Sequence, residues 1–236
     1  MIANALLLQA HGRDGRTVVG TIRTGGLCRA SRPFREGAAT RVVVSQLGPG
    51  LVRGDAFSSG GRVDAGAHLI VAGQMATRVL SGPDPVTSTA AWHVAAGATL
   101  ELLAEPALVS AGASYASRTE LELEPGARAV VMELVRREPG AAMTIATVAR
   151  RGDRLALHDV LRFAADDADA GAIGTLAVFG SHAGLAALDR AADVCPSVRI
   201  GVGTPRDGDL LARVTGETVW DVREALAALR AAATPG

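Results

Sequence analysis

The chain contains no lysine: all 24 of its basic residues are arginine, and 24 acidic residues balance them. The absence of lysine excludes Schiff-base catalysis, a lysine general base and the Walker-type phosphate loop, because each of these needs the lysine amine. A formal net charge of zero gives no electrostatic reason to expect nucleic acid or an anionic membrane surface as a partner.

Aromatic residues and cysteines are also scarce. Aromatics make up 3% of the chain and hydrophobic residues 48%, so the core must be built from aliphatic side chains, and a sugar-binding cleft is disfavoured. The two cysteines, Cys28 and Cys195, lie far apart in sequence, which is typical of free thiols in a reducing compartment. No signal-peptide pattern or long apolar run occurs near the start, so we expect a cytoplasmic protein.

Three segments of the chain share one pattern, in which a strand-like run, a Gly-Ala pair and a second strand-like run follow one another. The pairs begin at Gly66, Gly97 and Gly126, and a period of roughly 30 residues is typical of stacked supersecondary units. The first of these units, together with the strand predicted at 56–64, is interpreted as a hairpin. The repeat predicts a coil or layered stack of β-strands, which favours a scaffold over a catalytic pocket.

Apolar alternation and turn residues predict the remaining elements. Two helices are expected in the last third of the chain, one at 181–192 capped by Ser181 and one at 218–232 capped by Thr218. The chain is therefore predicted to be mainly β and to form one domain over 1–236, with a β-rich part at 1–165 and a mixed α/β part at 170–232. Further strands are predicted at 3–11, 17–23, 26–30, 42–47, 114–124, 143–149, 154–163, 175–180, 198–202 and 210–214.

Few residues offer chemistry. The five histidines show no metal-ligand spacing and have no cysteine nearby, so no closed zinc site is predicted. Asp55 closes a segment rich in glycine, and it is expected either to hold an Asx-type turn or to present a rigid carboxylate to a cavity or interface. Three glutamates, Glu101, Glu105 and Glu133, lie inside apolar runs, where a charge must be paired, hydrogen-bonded or hydrated. They are expected on a solvated outer face or in a polar channel that carries a cation on oxygen ligands.

These segments together resemble the urease accessory protein UreD family, called UreH in some organisms. Residues 48–55 resemble the family's Gly-Gly-Leu-x-x-Gly-Asp segment, and residues 74–78 resemble its Gln-x-Ala-Thr-Lys segment with Arg78 in place of lysine. Three more pieces follow the family's order: Gly-Ala-Thr-Leu-Glu-Leu-Leu-Ala-Glu-Pro at 97–106, Gly-Ala-Arg-Ala-Val-Val-Met-Glu at 126–133, and Arg-Glu-Gly at 35–37. In the first of these, Ala104 replaces the family's proline.

The resemblance implies a non-catalytic chaperone with a right-handed superhelical stack of β-strands, similar to a β-solenoid, and two helices. It implies that the protein binds apo-urease and the accessory protein UreF, on which the GTPase UreG docks, with a homodimer also compatible with the accessory complex. No permanently bound cofactor is expected. Ni²⁺ would instead pass through an internal tunnel, whose carboxylates carry over to Asp55, Glu101 and Glu133, with Glu105 as a looser candidate.

Two other functions stay open at this point. One is an unrelated β-solenoid hydrolase that uses Asp55 with Glu101, Glu105 or Glu133 as an acid/base pair, as in glycoside hydrolysis. The other is a structural adaptor with no role toward metal.

Overall fold

In a computed structural model, the structure describes residues 3–52, 54–167, 171–180, 196–205 and 208–233. The described elements are β1 (Ala3–Arg13), β2 (Arg16–Gly25), β3 (Cys28–Ala30), β4 (Phe34–Glu36), β5 (Ala39–Gln46), β6 (Ala56–Val63), β7 (His68–Gln74), β8 (Thr77–Val79), β9 (Val86–Val94), β10 (Thr99–Leu103), β11 (Ala107–Val109), β12 (Ser114–Leu123), β13 (Arg128–Arg137), β14 (Ala142–Arg151), β15 (Arg154–Phe163), β16 (Gly171–Phe179), β17 (Val198–Gly203), β18 (Leu210–Gly216) and the helix α1 (Val219–Ala233).

The strands form two sheets. Sheet I has the order β15-β14-β12-β9-β6-β1-β2, and Sheet II has the main order β17-β18-β16-β13-β10-β7-β5-β3, with β4, β8 and β11 as short side branches. Within Sheet I, β6, β9, β12 and β14 pair in parallel, and within Sheet II the same holds for β5, β7, β10 and β13. The chain alternates between the sheets, so it winds into a β-solenoid of about four turns. The predicted stack of strands is confirmed.

The three Gly-Ala pairs are the corners of this coil. At each corner the chain leaves Sheet I and enters Sheet II, as in the step from β6 to β7. Gly66, Gly97 and Gly126 have φ values of 73°, 69° and 82°, a left-handed conformation that glycine adopts without strain. The alanines that follow them are buried. The interpretation of the first pair as a hairpin is wrong, because β6 pairs with β9 one turn further along the coil and not with β7.

Two more Gly-Ala pairs, which the sequence analysis did not single out, form part of another corner. Gly112 and Gly140 also have positive φ values, 73° and 83°. The N–H of Gly112 donates to the carbonyl of Gly140 at 3.1 Å, so these two turns stack directly on each other. Small residues at both sets of corners allow the turns to approach at the spacing of neighbouring strands.

The core lies mainly between the two sheets and is aliphatic, with Leu8, Leu69, Leu100 and Leu121 almost completely buried. Each strand contributes alternate side chains to this layer, as a strand packed on one face must. Cys28 also lies there as a free, buried thiol, and burial raises its pKa. Cys195 lies outside the described residues.

A second apolar layer forms on the outer face of Sheet II, where α1 packs. Val222, Leu226 and Leu229 are fully buried against β13, β16 and β18. Thr218 caps this helix as predicted, because its hydroxyl oxygen accepts a hydrogen bond from the N–H of Asp221 at 3.1 Å. Within the described part of the chain α1 is the one helix, and the helix predicted at 181–192 lies outside the described residues.

Candidate functional site

A half-open cavity of about 200 Å³ lies between the two sheets. Its walls are largely aliphatic, but Sheet I adds a set of hydroxyl groups and Sheet II adds one carboxylate, that of Glu133. The polar residues that line it are Gln46, Ser59, Gln74, Thr77, Ser88, Glu105, Tyr115, Ser117, Thr119 and Glu133. The cavity therefore combines a narrow apolar space with a small number of oxygen ligands.

Glu133 points from β13 into the space between the sheets. The hydroxyl of Ser117 donates a hydrogen bond to Oε1 at 3.1 Å, and that of Thr147 donates to Oε2 at 3.4 Å. Among the described residues, no arginine or histidine lies within ion-pair distance of this carboxylate. In the described part of the chain, the carboxylate of Glu133 is therefore hydrogen-bonded by hydroxyl groups, and no cationic side chain compensates its charge.

This environment changes the ionisation of Glu133. Burial raises the pKa of Glu133 to about 7, although the hydrogen bonds from Ser117 and Thr147 act in the opposite direction. Burial, together with the negative charge of Glu133, also raises the pKa of the neighbouring Tyr115. Near neutral pH the carboxyl group is therefore divided between its protonated and ionised forms, while the tyrosine stays neutral.

The outer end of the cavity contains Gln74, Met75 and Glu105. Glu105 accepts a hydrogen bond from Nη2 of Arg223 on α1 at 2.9 Å, and Gln74 accepts one from the hydroxyl of Ser45 at 2.6 Å. Met75 is 78% exposed and has a φ of 65°, which is uncommon for a residue with a side chain. Two hydrogen-bonded polar side chains and one exposed methionine thus surround this end of the cavity, which we call the mouth.

Glu101 lies on the opposite face of Sheet II, as the neighbouring Leu100 and Leu102 predict. Its Oε2 accepts a hydrogen bond from Nε of Arg230 on α1 at 2.7 Å, and its Oε1 lies 2.7 Å from Nε2 of His68. Burial alone would raise the pKa of Glu101, but the hydrogen bond from His68 and the charge of Arg230 outweigh it and hold that pKa below its usual value. Glu101 therefore fastens the helix to the sheet and does not line the cavity.

Asp55 holds a turn. Its Oδ2 accepts a hydrogen bond from the N–H of Val52 at 3.0 Å, and its own N–H donates to the carbonyl of Val52 at 3.0 Å. Asp55 thus closes a turn by bonding a backbone N–H three residues before it, whereas an Asx-type turn would bond one two residues after it. Asp55 is buried but is not among the residues that line the cavity, whereas Leu51 of the same segment is.

Of the four carboxylates singled out in the sequence, the structure brings Glu133 and Glu105 to one cavity and keeps Asp55 and Glu101 away from it. The hydrolase alternative paired Asp55 with a glutamate, but Asp55 does not line the cavity in which Glu105 and Glu133 lie. No cluster of three or more His, Cys, Asp or Glu side chains suited to holding a metal ion occurs within the described ranges. The cavity can thus offer a cation a few oxygen ligands but not a closed cage.

The sequence analysis missed the hydroxyl groups that face Glu133. Ser117 and Thr119 occupy the inward positions of β12, between the buried Tyr115 and Leu121. The alternation of this strand was recognised, and two polar residues in an otherwise apolar inward series were the signal that could have identified the site. Thr147 is likewise a polar residue at an inward position, because it is the register neighbour of Thr119 on the adjacent strand of Sheet I.

Comparison with known protein families gives one result over nearly the whole chain. Residues 3–236 match the family model described as "UreD urease accessory protein". The chain belongs to the UreD family. Two curated relatives, both called "Urease accessory protein UreD", align over most of their length: one from Actinomyces naeslundii is 29% identical over 78% of this chain and 72% of its own length, and one from a Bacillus species (strain TB-90) is 27% identical over 89% and 88%. A third with the same name, from Pseudomonas putida, is 32% identical over 54% of this chain and 47% of its own length.

The segments that resemble the UreD family meet at the cavity. Residues 48–55 contribute Leu51, and residues 74–78 contribute Gln74, Met75 and Thr77. Residues 97–106 contribute the stretch that ends in Glu105, and residues 126–133 contribute the stretch that ends in Glu133. Four of the five segments, far apart in sequence, therefore line one space.

No helix in the described part of this family member is both long and apolar enough to cross a membrane.

Proposed function

We propose that this protein is a non-catalytic scaffold for urease maturation, and that Ni²⁺ passes through the cavity between its sheets on the way to the urease active site. It binds apo-urease and the complex of UreF with the GTPase UreG. It acts in the cytoplasm and holds no permanent cofactor, since the nickel ion is its cargo.

One observation carries this proposal, which is the position of Glu133. Among the described residues, this acidic side chain has no cationic partner, and it lies in a largely apolar cavity lined by four segments that resemble the family. A half-buried carboxylate in such a setting is unfavourable for stability, so its presence calls for a role. A divalent cation in transit is a partner of the required charge.

The ligand chemistry also suits transit better than storage. A conduit must bind its ion strongly enough to admit it and weakly enough to release it. Carboxylate and hydroxyl oxygens bind Ni²⁺ less tightly than a set of imidazole or thiolate ligands would. Because Glu133 is partly protonated near neutral pH, an incoming cation must also displace a proton, which weakens binding further.

The other three carboxylates support this route in different ways. Glu105 lies at the mouth, where it can attract a cation while Arg223 holds its side chain in place. Asp55 shapes the turn that presents Leu51 to the cavity, and Glu101 anchors α1 on the outside of the sheet that carries Glu133. Substitution of Asp55 by Ala is accordingly expected to slow urease activation without unfolding the protein.

The test begins with co-purification of the tagged protein with UreF, UreG and apo-urease, followed by measurement of nickel-dependent urease activity with and without it. We expect a stable complex, and activity that is lost when the protein is omitted. Absence of a complex together with unchanged activity would overturn the scaffold role.

Glu133→Gln then tests the route, because it keeps the shape of the side chain but removes its charge. We expect this variant to form the complex normally and to activate urease at least about tenfold more slowly, since the negative charge between the two sheets is lost. Glu122→Gln, an exposed glutamate on the outer face of β12, is the matched control and should activate normally. Full activity of Glu133→Gln within an intact complex would exclude the cavity as the route and leave the scaffold role standing.

A further inference from the structure

The polar layer that contains Glu133 continues beyond the inner end of the cavity. In Sheet I, Thr119 of β12 neighbours Thr147 of β14, which in turn neighbours Asp159 of β15. These three residues face inward, because neighbours in register share one face of a sheet. Thr147 connects this series to Glu133 directly, through its hydrogen bond to Oε2.

Sheet II contains a matching series on the opposite wall. Glu133 of β13 neighbours Thr175 of β16, which neighbours Arg213 of β18. The two series meet at their far ends, where Nη2 of Arg213 donates to both carboxylate oxygens of Asp159, at 2.9 and 2.7 Å. A row of polar side chains thus runs from the cavity to an ion pair that joins β15, the edge strand of Sheet I, to β18, the second strand of Sheet II.

Burial along this row identifies the ion pair as its boundary with solvent. Thr147 and Thr175 are almost fully buried, whereas the side chains of Asp159 and Arg213 keep 17% and 27% of their surface exposed. The pair therefore touches the buried row on one side and water on the other. The cavity reaches Thr119 and Glu133, the first residues of the two series, and the residues beyond them in the row do not line it.

The Arg213 guanidinium lies beside Asp159, where a cation moving along the row would otherwise bind. Glu133 and Asp159 are two acidic groups near each other, since the charge of Asp159 acts on the ionisation of Glu133, and the Arg213 guanidinium compensates one of them. Its Nη1 is buried and has no hydrogen-bond partner among the described residues. An unsatisfied buried donor penalises the closed arrangement, so the guanidinium is held at Asp159 mainly by the ion pair.

We propose that the Asp159–Arg213 ion pair closes the inner end of the cavity, and that a cation which moves beyond Glu133 must displace the Arg213 guanidinium from Asp159. This gate rests on the proposed function for its physiological meaning, because it presumes that a cation travels through the cavity. The effect of the ion pair on solvent access does not depend on nickel. With the pair intact, the row behind Glu133 is closed to solvent, and without the pair we expect it to open.

The test measures solvent access at two introduced cysteines by their rate of modification with methyl methanethiosulfonate, a small neutral thiol reagent, read by mass spectrometry. Thr147→Cys reports on the row behind Glu133, and Ser88→Cys reports on the cavity that opens at the mouth. Cys28 is fully buried in the aliphatic core and is kept as an indicator of global opening. Cys195, which lies outside the described residues, is changed to serine throughout.

We expect Arg213→Ala to raise the modification rate of Thr147→Cys by about tenfold or more, because the ion pair no longer covers the row. The rate at Ser88→Cys should change by less than about twofold, and Cys28 should stay unmodified, since neither is shielded by Arg213. Arg162→Ala, on the outward face of β15, is the matched control and should leave all rates unchanged. An unchanged rate at position 147, or a parallel rise at all three cysteines, would overturn the gate.

Asp159→Asn separates the ion pair from the volume of the arginine side chain. It removes the negative charge but keeps the size of both residues, so it should raise the rate at position 147 in the same direction and by a smaller factor. If only Arg213→Ala has an effect, the arginine fills space and the ion-pair gate is wrong. These modification rates are measured without urease, so they test the gate alone. The nickel route is tested separately, by the rate at which Glu133→Gln activates urease.

Discussion

Glu101 and Glu133 lie on neighbouring strands of Sheet II but on opposite faces, and their surroundings differ in one respect. Glu101 faces α1 and is held by Arg230 and His68, whereas Glu133 faces the cavity and is held by hydroxyl groups. The pKa of Glu101 is lowered and that of Glu133 is raised to about 7. The outer face is therefore built for stability, and the inner face keeps a carboxylate that stability alone would not favour.

The largest expected effect concerns Glu133 and pH. The pKa of Glu133 is raised in the folded protein from 4.5 to about 7, so the folded state holds its proton over a range where the unfolded state has released it. Stability should therefore fall as pH rises from 4.5 to 7 and change no further above that. A shift of this size corresponds to about 3 kcal/mol.

Glu133→Gln should remove this pH dependence. Chemical denaturation at pH 5 and pH 8 should show the variant more stable than the parent by about 3 kcal/mol at pH 8, with a much smaller gain at pH 5. Glu122→Gln serves again as the control and should follow the parent at both values. If the gain is equal at pH 5 and pH 8, the carboxyl group does not titrate as its environment requires.

An intermediate effect of opposite sign is expected for Glu101. Its folded-state pKa is lowered, so its contribution is present above pH 4.5 and lost as the pH falls through the folded-state value. Glu101→Gln should cost about 2 kcal/mol at pH 7, because a buried ion pair loses one partner while the other, Arg230, keeps some access to water. The loss should shrink below pH 4.5, and a loss that persists unchanged at pH 3.5 would contradict the ion-pair explanation.

The smallest effect is expected for the pair that links the two regions, Glu105 at the mouth and Arg223 on α1. Nearly half of the Arg223 side chain is exposed, so Arg223→Ala should lower stability by less than about 1 kcal/mol. Its effect should decline further in 0.5–1 M salt, because exposed charges are screened. A loss as large as that of Glu101→Gln would mean that α1 is anchored at the mouth and not at Glu101.

Much of the solenoid could be predicted because its pattern is local. The spacing of Gly66, Gly97 and Gly126 predicted the stack, and the alternation of β12 assigned its faces. The hairpin interpretation failed because a turn that joins two strands has the same residues whether the strands pair with each other or enter different sheets. That choice depends on the turns of the coil above and below, which local sequence does not encode.

The candidate site was predicted in part for the same reason. Leu100 and Leu102 correctly placed Glu101 on the opposite face of its strand, but nothing near it in sequence indicated that Arg230, 129 residues away, would cover it. Asp55 could be assigned to its turn because Val52, its partner, is three residues away. Glu133 shows the limit most clearly, because its hydrogen-bond partners lie on β12 and β14 in the other sheet.

The sequence by itself determined the elements whose causes are local: the repeat of strands and Gly-Ala corners, the apolar faces of those strands, and the helix that begins after Thr218. Only the tertiary structure decided which carboxylates pair with an arginine side chain and which one lies in the cavity without such a partner among the described residues. The physical reason is that the ionisation and role of a buried acid depend on groups within a few ångströms of it. In a β-solenoid those groups come from other turns and from the opposite sheet. The surroundings of Glu133 and of the Asp159–Arg213 pair are therefore determined only when the turns stack and the two sheets pack together.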